Sequence, residues 1–158
     1  MLNAKLEETT STVQDVADNK YLEDEDSNDE TSENFIWKIE IPKIELDAVI
    51  SEGTSDEILN EYIGHFEETK KNIGNVGLAA HNRGYKVNYF KRVKELDIGD
   101  EISYTYGNNT RIYKVASKTI IKDSDWTKLE NTEDNRLTLI TCLEDEPEYR
   151  RCIQAVEK

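Results

Sequence analysis

Basic residues are in the minority: 20 Lys and Arg stand against 34 Asp and Glu, a formal net charge of −14 over 158 residues. Phosphate backbones are bound by clustered Lys and Arg that release counterions, so this balance argues against nucleic acid as a partner. Long apolar runs are missing as well. No stretch of about 18 apolar residues is present to cross a bilayer, and the N-terminus lacks the basic stretch followed by an apolar core that marks a signal peptide. As written, the chain reads as soluble. Two cysteines, Cys142 and Cys152, are too few and too close for a disulfide-rich scaffold. Histidine is limited to His65 and His81, and proline to Pro42 and Pro147. No C-x-x-C or H-x-x-x-H spacing supports a zinc site, and no metal or cofactor is expected.

What is present divides unevenly. Residues 1–34 hold two lysines against eleven acids, a net of −9, which leaves −5 for residues 35–158. This leader, with its run LEDEDSNDETSEN, has almost no aliphatic residues to offset the entropy of ordering and reads as a disordered acidic linker. The remainder is long enough for one domain.

From Phe35 the pattern alternates, with Phe35, Trp37, Ile39 and Ile41 on one face and Lys38 and Glu40 on the other. Pro42 breaks that strand, and Ile44, Leu46, Ala48 and Ile50 predict a second. Thr54 and Glu57 have capping-box spacing ahead of Ile58, Leu59, Tyr62 and Ile63, which predicts a short helix covering the sheet. Residues 76–81 read as a buried strand ending at His81. A hairpin follows, with arms at 101–106 and 110–117 joined through Gly107-Asn108-Asn109. Further strands are predicted at 119–122, 137–141 and 150–156. Seven or eight short strands with little helix indicate a mostly antiparallel sheet, closed or sandwiched.

Cys142 stands where the β-branched run Thr138-Leu139-Ile140-Thr141 meets an acidic, proline-containing segment. A cysteine at a strand end is exposed enough to react while the sheet fixes its position. A Cys/His pair must draw on His65 or His81, and His81, at a strand end before the turn Asn82-Arg83-Gly84, is the better candidate. Arg150 and Arg151 offer a cation for a developing oxyanion, and alternation lets one of them face the cysteine. Other readings stand beside these: an inert core cysteine, a Cys142–Cys152 disulfide, or an edge-strand charge pair made by the arginines. Glu144, Asp145, Glu146 and Glu148 follow the nucleophile candidate, either as solvated loop or as a field that draws in a protonated amine.

Ile41-Pro42-Lys43-Ile44, Glu52-Gly53-Thr54, Gly74-Asn75-Val76-Gly77-Leu78-Ala79-Ala80-His81-Asn82, Leu96-Asp97-Ile98-Gly99-Asp100 and Leu137-Thr138-Leu139-Ile140-Thr141-Cys142, with Arg150 downstream, resemble the sortases in order and spacing over residues 35–158. The resemblance implies a closed eight-stranded β-barrel with short helices, and a cysteine transpeptidase of Gram-positive bacteria. It implies Cys142 as nucleophile, His81 as general acid/base and Arg150 as oxyanion-stabilising residue, with Thr141, Asn82 and Ala80 as substrate-binding neighbours. It further implies that sorting-signal-bearing surface proteins are cleaved and passed to an amine acceptor in peptidoglycan or pilin. The place of work would be the extracellular face of the cell membrane, through an N-terminal anchor that this sequence lacks. With proline only at 42 and 147, the Asp-Pro-aromatic lid of class C enzymes is not expected, and Asp123 to Arg136 is too short for the helix-bearing insertion of class B, which leaves a class A, D or E type. A non-catalytic β-barrel binding module and a cysteine peptidase using water are the competing readings.

Overall fold

The computed structural model describes residues 35–158; the acidic linker expected at residues 1–34 lies outside the described residues. The alternation at the start of the domain makes β1 (Trp37–Ile41), in which Ile39 and Ile41 are fully buried. Lys38, on the other face, reaches Glu40 at 3.5 Å and Asp47 at 3.3 Å. Pro42 has no N–H to give to a ladder, and the strand ends there in a single 3₁₀ turn (Pro42–Ile44). Glu45 then adopts a left-handed φ of 57°. The chain reverses into β2 (Leu46–Glu52), antiparallel to β1, with Leu46, Ala48 and Ile50 buried.

The helix expected next is a single turn, α1 (Asp56–Leu59), capped by Ser55, whose Oγ accepts from Ile58 N, and not by Thr54. None of its residues is buried. Ile63, read as part of its apolar face, belongs instead to β3 (Ile63–His65), where parallel pairing with Ile50 draws it fully into the core. Strand pairing here overrides a local helical period, as tertiary contacts commonly do. β4 (Asn75–Ala79) is buried at every position and ends two residues before His81. Gly77 allows that burial: a Cβ there would stand 2.7 Å from a Leu129 methyl and 3.2 Å from the Phe66 ring.

The hairpin is formed by β5 (Glu101–Tyr106) and β6 (Asn109–Lys122), joined by a two-residue turn in which Gly107 has φ 64°. The two strands expected at 110–117 and 119–122 are one. A bulge between Val115 and Ser117 bends β6, which pairs with β5 through its first half and with β8 through its second. β7 (Arg136–Leu143) and β8 (Glu146–Glu157) complete the set. The order β1-β2-β3-β4-β7-β8-β6-β5 closes on itself, since β5 pairs with β1. The domain is therefore the closed eight-stranded β-barrel that the resemblance implied, with an interior filled by Ile, Leu, Val and Tyr side chains.

Candidate active site

Two strands set the site. β4 and β7 are parallel neighbours with Ala79 level with Ile140, so both chains leave their last shared pair running toward the same end of the barrel. His81 and Cys142 each lie two residues beyond that pair. Antiparallel β8 then brings Arg150 directly across from Cys142. Cys142 and Arg150 are thus paired across β7 and β8, His81 follows the end of β4 at the matching offset, and all three line one groove, although 60 and more residues separate His81 from the other two in sequence.

Side-chain bonds continue the ladder past the last backbone pair. Thr141 Oγ1 donates to the Ala80 carbonyl at 2.7 Å, and Asn82 Nδ2 donates to the Cys142 carbonyl at 2.7 Å. The residues on either side of His81 are therefore each tied to the segment that carries the cysteine. All three expected substrate-binding residues are buried, and the Thr141 hydroxyl, the Ala80 carbonyl and the Asn82 amide nitrogen are used in this frame. Ala80 and Thr141 still line the groove, whereas Asn82 does not. The Asn82 amide nitrogen holds the cysteine segment.

Cys142 is an exposed free thiol. Cys152 is also free but wholly buried, two residues along β8 from Arg150, and burial pushes its thiol up to about 11. The disulfide alternative is not realised. Cys152 packs with Ile121 and Ile140, against the partly buried Phe66 and Leu129, and this cluster underlies the groove. The groove has a volume of about 250 Å³, and Leu59 and Trp126 complete its apolar wall. Trp126 is largely exposed and meets Phe66 edge-on.

His81 lies at the rim, partly buried. Desolvation lowers its pKa below the ordinary histidine value, while the Asp56 carboxylate pulls weakly the other way. Its Nε2 is buried with no hydrogen-bond partner. The Tyr85 ring stacks flat on the imidazole, centroids 3.6 Å apart and planes within 9°. His65 is elsewhere and fully committed. Its Nδ1 meets Glu52 Oε1 at 2.9 Å, its Nε2 meets the Lys70 carbonyl at 2.8 Å, and its ring packs on Trp37. It does not line the groove, so of the two histidines His81 alone does.

The arginines separate cleanly. Arg151 lies across from Thr141 and pairs with Glu144 at 3.4 Å. Arg150 shares the groove with Cys142. Its strand begins at Glu146 and not at Arg150 as expected. Leu143 pairs with Glu146 while the adjacent Cys142 pairs with Arg150, so residues 147–149 bulge. Arg150 Nη1 donates to the Pro147 and Tyr149 carbonyls, both at 2.9 Å, which anchors the guanidinium to the bulge it follows. The acid field expected after Cys142 is partly cancelled. Glu144 has Lys94 at 3.5 Å as well as Arg151, and Asp145 has Arg83 at 2.7 Å.

Residues 39–158 match the family model described as the sortase domain. The chain belongs to the sortase family. Among curated relatives it is 30% identical over 122 residues to sortase A of Bacillus anthracis, covering 76% of this chain and 58% of that protein. It is 31% identical over 108 residues to sortase D of Bacillus subtilis, covering 66% of this chain and 52% of that protein. The chain spans about half the length of the curated relatives it matches. Among solved structures, sortase C1 of Streptococcus suis superposes with a TM-score of 0.73 at 26% identity, over 78% of this chain and 73% of that one. Sortase C-1 of Actinomyces oris, at 24% identity, shares the fold with a TM-score of 0.76, over 82% and 77%.

The sequence reading of this sortase domain missed the apolar walls and Tyr85. Tyr85 is only four residues past His81, but nothing in the spacing shows that the loop doubles back. The walls come from three separate connections, and only the barrel assembles them.

Proposed function

We propose that this sortase domain is a cysteine transpeptidase that cleaves a Leu-Pro-X-Thr-Gly-like sorting signal between Thr and Gly and transfers the acyl part to an amine. The observation that supports the reading is the row made on one groove by His81, just past the end of β4, and the cross-strand pair Cys142 and Arg150. A row of this kind supplies a base, a nucleophile and an oxyanion partner at one end of an apolar groove.

The steps follow from the groups. His81, neutral near pH 7 because burial lowers its pKa, takes the thiol proton as Cys142 attacks the Thr carbonyl. The Arg150 guanidinium stabilises the tetrahedral oxyanion. The imidazolium then protonates the leaving glycine amine as the C–N bond breaks, and a Cys142 thioester remains. An incoming amine attacks the thioester and gives its proton to His81, the C–S bond breaks, and the imidazolium returns the proton to the departing Cys142 thiolate. No cofactor enters these steps.

The partners that fit are surface proteins carrying a sorting signal, and a peptidoglycan or pilin amine as acceptor. The place of work is the outer face of the cell membrane, although no helix among the described residues is long and apolar enough to cross one. Similarity to sortases A and D supports a class A, D or E type.

Mass spectrometry of the protein incubated with a panel of sorting-signal peptides tests the proposal. The expected product is a thioacyl adduct on Cys142 that an added amine converts to a new amide. Adduct release to the free acid at the same rate with and without amine would mark a hydrolase, and no adduct with any peptide would mark a binding module.

A further inference from the structure

Tyr85 contributes little to the core, being 56% exposed, yet its ring lies flat against the His81 imidazole at 3.6 Å. The backbone is built to bring it there. Phe90 N donates to the His81 carbonyl at 3.0 Å, and Phe90 is itself buried, which closes residues 81–90 into a loop with fixed ends. Gly84, at φ 82°, occupies the left-handed region that glycine tolerates, and the chain turns there immediately before Tyr85. Asn88 then holds Tyr85 from both sides: its Oδ1 accepts from Tyr85 N at 3.3 Å, and its Nδ2 donates to the Tyr85 carbonyl at 2.8 Å.

An exposed ring held this firmly against one imidazole has a limited set of effects. It restricts rotation of the His81 ring about χ2, removes water from one of its faces, and leaves the opposite edge to the groove. We propose that Tyr85 is a positioning residue for His81: its ring plates the imidazole, fixes its plane relative to Cys142, and keeps water from it during acyl transfer. This rests on the acid/base role given to His81 above.

The other charged and titratable groups near His81 define what a pH measurement reads. Asp56 on α1 opposes the effect of burial, and Cys142, Arg150, Lys122, Asp123 and Asp125 share the groove. Removing the Tyr85 ring changes none of these charges and relieves desolvation. The His81 titration midpoint should therefore move up, toward the ordinary value of about 6.5.

The test uses Tyr85→Ala and Tyr85→Phe, with His81 followed by NMR titration. The chain has two histidines, so the resonance that disappears in His81→Ala identifies the one of interest. In Tyr85→Ala the midpoint should rise, kcat for sorting-peptide cleavage should fall about tenfold, a part of the roughly 10² to 10⁴ that proton transfer supplies, and KM should stay within about twofold. The melting temperature should hold, because the side chain is exposed. Tyr85→Phe, which keeps the stack, should match the wild type in all four. A midpoint in Tyr85→Ala that stays or falls, with wild-type kcat, overturns the proposal, as does a lower melting temperature with an unmoved midpoint. If the wild type forms no thioacyl adduct, the transpeptidase reading fails on its own, and the titration still decides whether Tyr85 governs His81.

Discussion

The side-chain amide of Asn82 donates to the backbone carbonyl of Cys142 at 2.7 Å, so the residue after the candidate base holds the candidate nucleophile's own peptide group. Replacing Asn82 with Ala leaves that carbonyl without its donor, at a cost of about 1 to 3 kcal/mol. The expected result is a lower kcat with KM for the sorting peptide little changed, measured by steady-state cleavage. Asn82→Asp, which cannot donate when ionised, should not restore it.

The two thiols should respond oppositely to alkylation. Cys142 is exposed and should label in the native protein, whereas Cys152, buried with its thiol pushed up to about 11, should label only on unfolding. Cys142→Ala should abolish adduct formation without changing the melting temperature. Cys152→Ala should keep cleavage and lower stability by roughly 1 kcal/mol through the small cavity under the groove. Peptide mapping and thermal denaturation read both.

His81→Ala and His65→Ala should separate activity from stability. The first should reduce turnover by roughly 10² to 10⁴. The second should leave turnover per folded molecule near wild type while lowering stability by about 2 to 4 kcal/mol, since a fully buried ring bonded at both nitrogens is lost. Acid adds a sign to the His81 case. Its folded pKa is lowered, so the unfolded chain binds more protons from about pH 6.5 downward. Stability contributed by neutral His81 is present above that pH and falls as acid is added through the lowered value. Urea melts of His81→Ala across this window should show a shallower decline than the wild type.

Arg150→Ala should cost about 2 to 4 kcal/mol in transition-state stabilisation, read from kcat/KM. Arg151→Ala should cost much less, because its side chain is engaged by Glu144 and does not share the groove with Cys142. The reverse order would mean that the register of β7 against β8 is shifted by one residue.

The first two strands were legible because Ile39 and Ile41 alternate with Lys38 and Glu40, and Leu46 and Ala48 with Glu45 and Asp47, with Pro42 between them; Ile44, read as the start of the second strand, falls in the 3₁₀ turn instead. Cys142 and His81 were legible as candidates because few such residues exist and each ends an apolar run. What could not be read depends on pairing across the chain. Ile63 looks helical until Ile50 claims it, and β6 looks like two strands until the bulge beside Val115 lets it serve two neighbours. The bond from Asn82 to Cys142 exists only because Ala79 and Ile140 share a level in a parallel ladder, a register that neither segment carries alone. Glu144 and Asp145 read as bare negative charge because their cations, Lys94, Arg151 and Arg83, come from other stretches of chain or the next strand.

Every strand of the ring has a neighbour on both sides, and this decides how an extended peptide can be held. Many peptide readers lend a free sheet edge and take the guest as an extra strand, gripping it by its main chain. A closed ring has no edge to lend. On the transpeptidase reading proposed above, a sorting peptide in this groove would meet Ile121 of β6, Ile140 of β7 and the side chains of Phe66, Trp126 and Leu129. Such a peptide would not be gripped as an added strand, and a cleaved product would depart without unzipping a ladder.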